Sequence, residues 1–297
     1  MRRKVVCASD ATWRSALVMA VADELAGRAR LPLEVVHATQ AVGERTLGMR
    51  AHRIGELIRE STGRTDIPLL VERGYAMDCL VRATGGASLL VMGATRRRPL
   101  WRPLHPGLVA TVARRAACPV VAVPLRCEIP CAGSRVLCGV RDERDLATAA
   151  DAAYWARALD LELTLVSVVN PPRPPLVAGV GVVPPIPAMT VRESLAAAER
   201  HLAELAETIR PVVACDVVVE LAAAPAGRAL RRMASRCDAA LLALGASARP
   251  LVAGAVTRSV LRDGDRPVML MPRPADAVSA WMASSSHAHS FEPDAAP

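Results

Sequence analysis

The 297-residue chain has very few aromatic residues: one Phe, two Tyr and four Trp. Proteins that bind single-stranded nucleic acid stack bases on aromatic side chains set among basic ones, so this shortage argues against that class. Lysine is as scarce, because Lys4 is the only one and the other basic side chains are arginine. The net charge of +8 allows attraction to polyanions. The composition alone nevertheless favours a solvated arginine surface over a nucleic-acid partner.

Signals for membrane insertion, secretion and metal binding are also missing. No uninterrupted apolar run is long enough to span a membrane, and Asp10 and Arg14 interrupt any signal-peptide core. We therefore expect a cytoplasmic protein with reduced thiols. Of the eight cysteines only Cys127 and Cys131 are closely spaced, and no histidine lies near them. A zinc site needs about four ligands, so the sequence does not favour one.

The common catalytic motifs are absent from the sequence. There is no G-x-x-x-x-G-K-S/T phosphate loop and no G-x-S-x-G nucleophile elbow. No Ser-Gly-Gly-x-Asp-Ser turn follows the first strand, which argues against an ATP pyrophosphatase on a related fold. We expect no catalytic residues and no enzyme, with slow ATP hydrolysis as the one activity left open.

A repeated unit organises the chain. In residues 89–124 an apolar strand ends at Gly93, a basic loop follows, and a helix begins near Gly107 and leads to a strand at Val120–Val123. Residues 241–272 repeat this order, with glycines at 245 and 254 and a last strand that ends at Met271. Internal repetition of this kind predicts two similar domains.

Apolar runs and helical spacing alternate through both halves, which is typical of parallel βαβ units. We predict strands at 5–8, 33–37, 67–72, 89–92 and 120–123, and again at 135–140, 161–168, 212–220, 241–244 and 268–271. The predicted domains are residues 1–124 and 134–272, joined by a linker at 125–133 and followed by a disordered tail at 273–297. A Pro/Gly-rich insertion at 170–189 is interpreted as an irregular connection in preference to a partner-binding or lid segment.

Both halves resemble the universal stress protein domain, over residues 2–124 and 134–272. The resemblance implies two tandem, doubly wound α/β domains of the Rossmann-like, adenine nucleotide alpha hydrolase-like type. Each would hold a five-stranded parallel sheet of order 3-2-1-4-5. Members that bind ATP carry G-x-x-G, nine residues and G-S/T after the fourth strand. This sequence departs from that signature: Arg96 replaces the second glycine and Leu108 the hydroxyl residue, with Ala248 and Ala255 in the same roles in the second half.

Ligands of open parallel sheets lie beyond the carboxyl ends of the strands, where the strand order reverses. The family aspartate maps to Asp10, which would contact adenosine; a helix-cap or turn role remains equally open. For His37 an ordinary strand-end histidine is favoured. The predicted nucleotide-binding residues are Ala8, Ser9, Asp10, His37, Met92, Gly93, Arg96, Gly107, Leu108 and Val109 in the first half, and Gly139, Val140, Asp142, Leu244, Gly245, Ala248, Gly254, Ala255, Val256 and Thr257 in the second.

Two functions from different classes follow. The first is a stress-response regulator that binds an adenine nucleotide, ATP with Mg²⁺, through these degenerate glycine loops. The second is a nucleotide-free interaction module in which the two halves pair through their last strands, Val120–Val123 and Val268–Met271. The sequence leaves open whether whole molecules also form a homodimer.

Overall fold

The structure is a computed structural model that describes residues 4–40, 43–94, 107–127, 133–141, 145–171, 188–246 and 255–272. Strands and helices alternate throughout this part of the chain. In the first half they are β1 (Val5–Ala8), α1 (Ser15–Arg28), β2 (Leu33–Thr39), α2 (Glu44–Thr62), β3 (Leu69–Arg73), α3 (Ala76–Thr84), β4 (Leu89–Ala94), α4 (Leu108–Arg115) and β5 (Val120–Pro124). In the second half they are β6 (Arg135–Gly139), α5 (Leu146–Ala158), β7 (Glu162–Val169), α6 (Ala188–Ile209), β8 (Cys215–Leu221), α7 (Ala226–Arg236), β9 (Ala239–Gly245), α8 (Ala255–Asp263) and β10 (Val268–Met271).

All ten strands belong to one sheet of order β3-β2-β1-β4-β5-β10-β9-β6-β7-β8. The predicted order 3-2-1-4-5 is confirmed in the first half, and the second half repeats it from its own first strand, β6. Neighbouring strands are parallel within each half. β5 and β10 pair antiparallel, with Val121 opposite Met269, and join the halves. These are the two last strands through which the interaction-module hypothesis pairs the halves.

Two apolar layers cover the two faces of the sheet. One contains the buried side chains of α1, α2, α5 and α6, and the other contains those of α3, α4, α7 and α8. Because both faces are covered, the central strands are fully buried and read as continuous apolar runs. Alanine, valine and leucine supply most of this core, as the shortage of aromatic residues requires.

Most strand ends differ from the predictions by one or two residues, and the largest difference is at the start of β8. The strand predicted at 67–72 begins at Leu69, although Ile67 is buried. The strand predicted at 212–220 begins at Cys215, because Val212 N–H still donates to Ile209 O in the turn that closes α6. Burial, and not strand pairing, accounts for the apolar residues that precede these two strands.

Candidate functional site

The predicted ligand site of the first half lies where β1 is flanked by β2 and β4. β1 is parallel to both neighbours, and Cys7 is opposite Val35 on one side and Val91 on the other. From β1 the chain first adds β2 and β3 on one side, and it then crosses the sheet to add β4 on the other side of β1. The carboxyl ends of β1 and β4 therefore form a switch point, the usual ligand position in this architecture.

Asp10 organises the turn between β1 and α1. Its Oδ1 accepts hydrogen bonds from the Thr12 amide at 3.0 Å, the Thr12 hydroxyl at 2.6 Å and the Ser15 hydroxyl at 2.8 Å. Ala11 in this turn has a left-handed backbone, with φ of 60°. In the part of the chain that the structure describes, these three hydrogen bonds lie on Oδ1 and none lies on Oδ2.

The electrostatics of Asp10 reflect these donors. Partial burial raises its pKa, but the hydrogen bonds from Thr12 and Ser15 outweigh that effect and hold the pKa of Asp10 below its ordinary value. The side chain is therefore a carboxylate at neutral pH. It can accept hydrogen bonds from a ligand hydroxyl but cannot donate one.

His37 is buried near the carboxyl end of β2, where it holds the first turn. Its Nδ1 is 2.8 Å from the carbonyl oxygen of Ser9, and because a carbonyl only accepts, Nδ1 carries the proton. Its Nε2 lies 3.5 Å from Nη1 of Arg50, which also donates to the Thr39 hydroxyl at 3.0 Å. Both ring nitrogens are thus occupied by the protein, as in the ordinary strand-end histidine.

Arg50 is a residue that the sequence reasoning missed. It is one of several arginines at exposed positions of α2, and nothing in its spacing distinguishes it. Only the fold shows that its guanidinium reaches the end of β2. It adds a positive charge to the edge that holds Asp10.

Met92, Gly93 and the start of α4 form the other side of the switch point. Met92 is buried among the side chains under α3 and α4, and a Cβ at Gly93 would lie 3.4 Å from Cγ2 of Val18 in α1. α4 begins directly after Gly107, so its first amide groups have no acceptor within the helix. Leu108 is partly exposed and Val109 is buried. The helix end can bind an anion through backbone groups, without the hydroxyl that the resemblance implies at position 108.

The second half differs at the corresponding positions. Gly139 ends β6, and a Cβ there would lie 2.9 Å from Cδ2 of Leu244 and 3.2 Å from Cδ1 of Leu230. The next residue, Val140, is buried. Apolar side chains therefore fill the space beside the end of β6.

Helix α5 closes tightly over the end of β9. A Cβ at Gly245 would lie 2.8 Å from Oγ1 of Thr148 and 3.5 Å from Oδ1 of Asp145. Asp145 Oδ2 accepts a hydrogen bond from the Arg141 amide at 2.8 Å. Arg141 follows β6 in the same way that Asp10 follows β1. The second half thus has an arginine where the first half has the candidate carboxylate.

The start of α8 completes the predicted second-half set. Ala255 is exposed, Val256 is half-buried and Thr257 is buried. The Thr257 hydroxyl therefore does not replace a surface hydroxyl at Ala255. Four further predicted residues, Arg96, Asp142, Ala248 and Gly254, lie outside the described residues, as do the tail and most of the insertion and linker.

The described ranges contain neither a metal-binding cluster nor a membrane-spanning helix. Within them, no group of three or more His, Cys, Asp or Glu side chains is arranged to hold a metal ion. Burial raises the pKa of Cys7 to about 12, so this thiol is not a reactive thiolate. Among the helices described, none combines the length and apolar character needed to cross a membrane.

The fold and the switch point define an α/β protein of the doubly wound class. Comparison with known families goes further: residues 134–272 match the model of the universal stress protein family. The expectation that this part of the chain is a universal stress protein domain is therefore confirmed for residues 134–272.

Solved structures resemble the chain along most of its length. A universal stress protein from Archaeoglobus fulgidus DSM 4304 is 13% identical with a TM-score of 0.61, over 92% of this chain and 100% of that one. A Pseudomonas aeruginosa PAO1 protein of unknown function is 14% identical with a TM-score of 0.57, over 96% and 98%. At these identities the likeness shows the fold alone.

A shorter universal stress protein from Archaeoglobus fulgidus, solved in complex with dAMP, is 18% identical over 46% of this chain and 96% of its own. Its TM-score of 0.35 is too low for its ligand to inform this chain. No curated protein matches the sequence.

Proposed function

We propose that this protein is a non-enzymatic, cytoplasmic stress-response regulator that binds one adenine nucleotide, ATP with Mg²⁺, in its first half. The observation that carries the proposal is the Asp10 carboxylate at the switch point beside β4, whose Oδ2 accepts no hydrogen bond from the described residues. Its fixed orientation suits a ribose hydroxyl, which donates hydrogen bonds to a carboxylate. Helix α4 comes after β4 in the chain, and the amide groups at its start can bind the phosphate groups of the nucleotide.

The first half is the better candidate because the second has no carboxylate at the position of Asp10 and no open space beside the end of its first strand. Arg141 occupies the position of Asp10, and Leu230 and Leu244 fill the space at Gly139. The tandem arrangement would then divide roles between the halves: residues 1–124 would bind the ligand, and residues 134–272 would complete the sheet through the β5–β10 pair.

The first experiment is nucleotide release. Purified protein is denatured, the supernatant is analysed by chromatography and mass spectrometry, and the nucleotide-free protein is titrated with ATP and Mg²⁺ by calorimetry. We expect about one nucleotide per chain. No released nucleotide together with a flat titration would exclude the proposal.

A matched pair of variants tests which half binds. Leu108→Ser restores the implied hydroxyl in the first half, and Ala255→Ser does the same in the second. One hydrogen bond to a charged phosphate is worth about 1.5 kcal/mol or more, so Leu108→Ser should tighten ATP binding roughly tenfold. Ala255→Ser should leave it unchanged. The opposite pattern would move the site to the second half.

The second candidate is the nucleotide-free interaction module. It is favoured by the antiparallel β5–β10 pair, which joins the halves without a ligand, and by the protein contacts that already occupy Oδ1 of Asp10 and both nitrogens of His37. This function predicts that Gly107→Trp leaves activity in cells unchanged. Substitutions in the insertion at 170–189 should then impair it.

A further inference from the structure

Helix α7 carries an uncompensated row of arginines along its exposed side. Arg228, Arg232 and Arg236 are four residues apart, so they lie on one helix face about 6 Å from each other along the axis. All three are exposed. In the part of the chain that the structure describes, no carboxylate pairs with any of them. We call these three residues the α7 arginine row.

Such a row is unfavourable for the helix itself. Like charges four residues apart destabilise a helix by about 0.2–0.5 kcal/mol per pair. Elsewhere the protein uses this spacing for opposite charges, as in the Glu24–Arg28 ion pair of α1 at 2.7 Å. In α3, which precedes β4 as α7 precedes β9, the one arginine, Arg82, is paired with Glu72 at 2.6 Å. Arg236 in the last turn of α7 complements the helix dipole, but Arg228 in the first turn opposes it, so the stability of α7 does not explain the row as a whole.

The charge is also concentrated on one face of the sheet. Helices α7 and α8 together contain six arginines and one aspartate, Asp263. The helices that cover the other face of the same half, α5 and α6, contain three arginines and five carboxylates. The excess positive charge of the second half thus lies on one face of the sheet. In α8, Arg258 and Arg262 are also exposed, and Arg262 is ion-paired with Asp263 at 3.2 Å.

The two helices that present this charge are held together closely. A Cβ at Gly227 of α7 would lie 2.8 Å from Cβ of Ser259 in α8, so the absence of a side chain there lets the helices approach. Arg231 Nη1 donates to the carbonyl oxygen of Asp263 at 2.6 Å. The arginines therefore project from a packed surface and not from a loop.

We propose that the α7 arginine row and the neighbouring Arg258 and Arg262 bind the phosphate backbone of a nucleic-acid duplex. Guanidinium groups bind phosphate oxygens through two parallel hydrogen bonds, and a row about 12 Å long can contact several phosphates of one strand. Sequence-independent contacts of this kind provide most non-specific duplex affinity.

The chemistry of the surface separates this partner from two others. A single strand would need exposed aromatic side chains, and neither α7 nor α8 contains one. Insertion into a membrane would need a free apolar face, whereas the apolar residues of α7, Ala229, Leu230, Met233 and Ala234, are buried in the core. Scarcity of aromatic residues thus excludes the single strand but not the duplex.

The test uses the full chain and a fluorescein-labelled DNA duplex of about 24 base pairs, titrated by anisotropy at roughly 50 to 200 mM KCl. Log affinity should fall linearly with log salt. The triple variant R228Q/R232Q/R236Q should reduce the slope by about 2 to 3, because each lost phosphate contact removes about 0.9.

The matched control is R45Q/R53Q/R59Q, which removes the same charge from exposed positions of α2 on the other face. It should keep the slope of the unmodified protein. Equal loss in both variants would mean that net charge alone attracts DNA and would overturn the proposal. The proposal would also be overturned if the α7 variant kept the salt slope of the unmodified protein. A single strand that bound as tightly as the duplex would overturn it too, as would phosphatidylserine vesicles that bound through the row while the duplex did not. None of these outcomes depends on ATP binding.

Discussion

Ser15 and Asp10 are joined by two hydrogen bonds: the Ser15 hydroxyl donates to Asp10 Oδ1 at 2.8 Å and accepts from the Asp10 amide at 3.1 Å. The first residue of α1 therefore fixes both the backbone and the side chain that follow β1. In the second half Asp145 takes over only the backbone contact, to Arg141. The position directly after the first-strand turn thus holds a carboxylate in the first half and an arginine in the second.

Replacing Asp10 by Asn should change how stability depends on pH. The folded pKa of Asp10 is lowered, so its carboxylate contributes stability above the ordinary pKa near 3.8, and this is lost as pH falls through the folded pKa. We expect the unmodified protein to exceed Asp10→Asn in stability at pH 7 and to lose the difference in acid. Urea unfolding at several pH values measures this. A constant difference across the acid range would contradict it.

Removing the Ser15 hydroxyl should loosen the same turn. Two hydrogen bonds of about 1 kcal/mol each are lost, so Ser15→Ala should lower the free energy of unfolding by about 1–2 kcal/mol. If Asp10 contacts a nucleotide, ATP affinity should fall as well, because Oδ2 is no longer held in place. Ser61→Ala, which removes a hydroxyl that donates to the Leu57 carbonyl within α2, is the control for stability without an effect on binding.

Asp151 is a partly buried carboxylate of α5 at a position where the corresponding helix of the first half, α1, has an apolar residue. Equivalent hydrogen bonds close the two helices: Leu31 N–H donates to Ala26 O after α1, and Leu161 N–H donates to Ala156 O after α5. When the two sequences are aligned on these bonds, Asp151 corresponds to Val21, which is fully buried. Burial raises the pKa of Asp151 from 3.8 to about 6. Ionisation of this group at neutral pH therefore costs free energy in the folded state.

Asp151→Val should accordingly stabilise the protein. A folded pKa raised above the unfolded value costs stability above about pH 6 and costs nothing below about pH 4, where both states are protonated. The gain in the free energy of unfolding should approach about 3 kcal/mol at pH 8 from the ionisation term alone. The reciprocal variant Val21→Asp should destabilise the first half. Equal stability of Asp151→Val and the unmodified protein at pH 8 would show that the carboxylate is solvated.

The two glycines that end β4 and β9 should respond differently to alanine. At Gly245 a Cβ would lie 2.8 Å from Thr148 Oγ1, whereas at Gly93 the nearest atom is a methyl group of Val18 at 3.4 Å. We expect Gly245→Ala to cost about 1–3 kcal/mol by overpacking and Gly93→Ala to stay within about 0.5 kcal/mol. Urea denaturation of the two variants compares them directly. Equal costs would mean that α5 can shift away from β9.

Much of this architecture follows from local patterns in the sequence. Continuous apolar runs such as Leu89–Met92 predict strands buried on both faces, and the repeated glycine turns predict two similar halves. Resemblance supplied the strand order within each half. The antiparallel pairing of β5 with β10 rested on a hypothesis about function, since periodicity does not say which strands of different halves meet.

The candidate site was harder to predict because it depends on side chains that are distant in sequence. Asp10 could be found from its place after β1, but the three hydrogen bonds to its Oδ1 required the folded turn. Arg50 reaches the site from α2, thirteen residues after His37, with no motif to mark it. The α7 arginine row was also missed, because its exposure and its lack of carboxylate partners among the described residues depend on packing.

The packed space at Gly139 should be measurable as a coupling between two residues. Gly139→Ala places a Cβ 2.9 Å from Leu244 Cδ2, and Leu244→Ala removes that atom at the cost of a buried cavity. Each single variant should destabilise the protein, the second by about 2–5 kcal/mol. The double variant should cost less than the two single variants together, by about 1 kcal/mol or more, because the new methyl group occupies part of the cavity.

The first half offers a natural precedent, since Ala8 already carries a Cβ at the position of Gly139, and Met92, at the position of Leu244, is an unbranched side chain that adapts to it. Additive costs in urea unfolding would show that the space beside β6 is open, and the second half would then again be a candidate for the nucleotide.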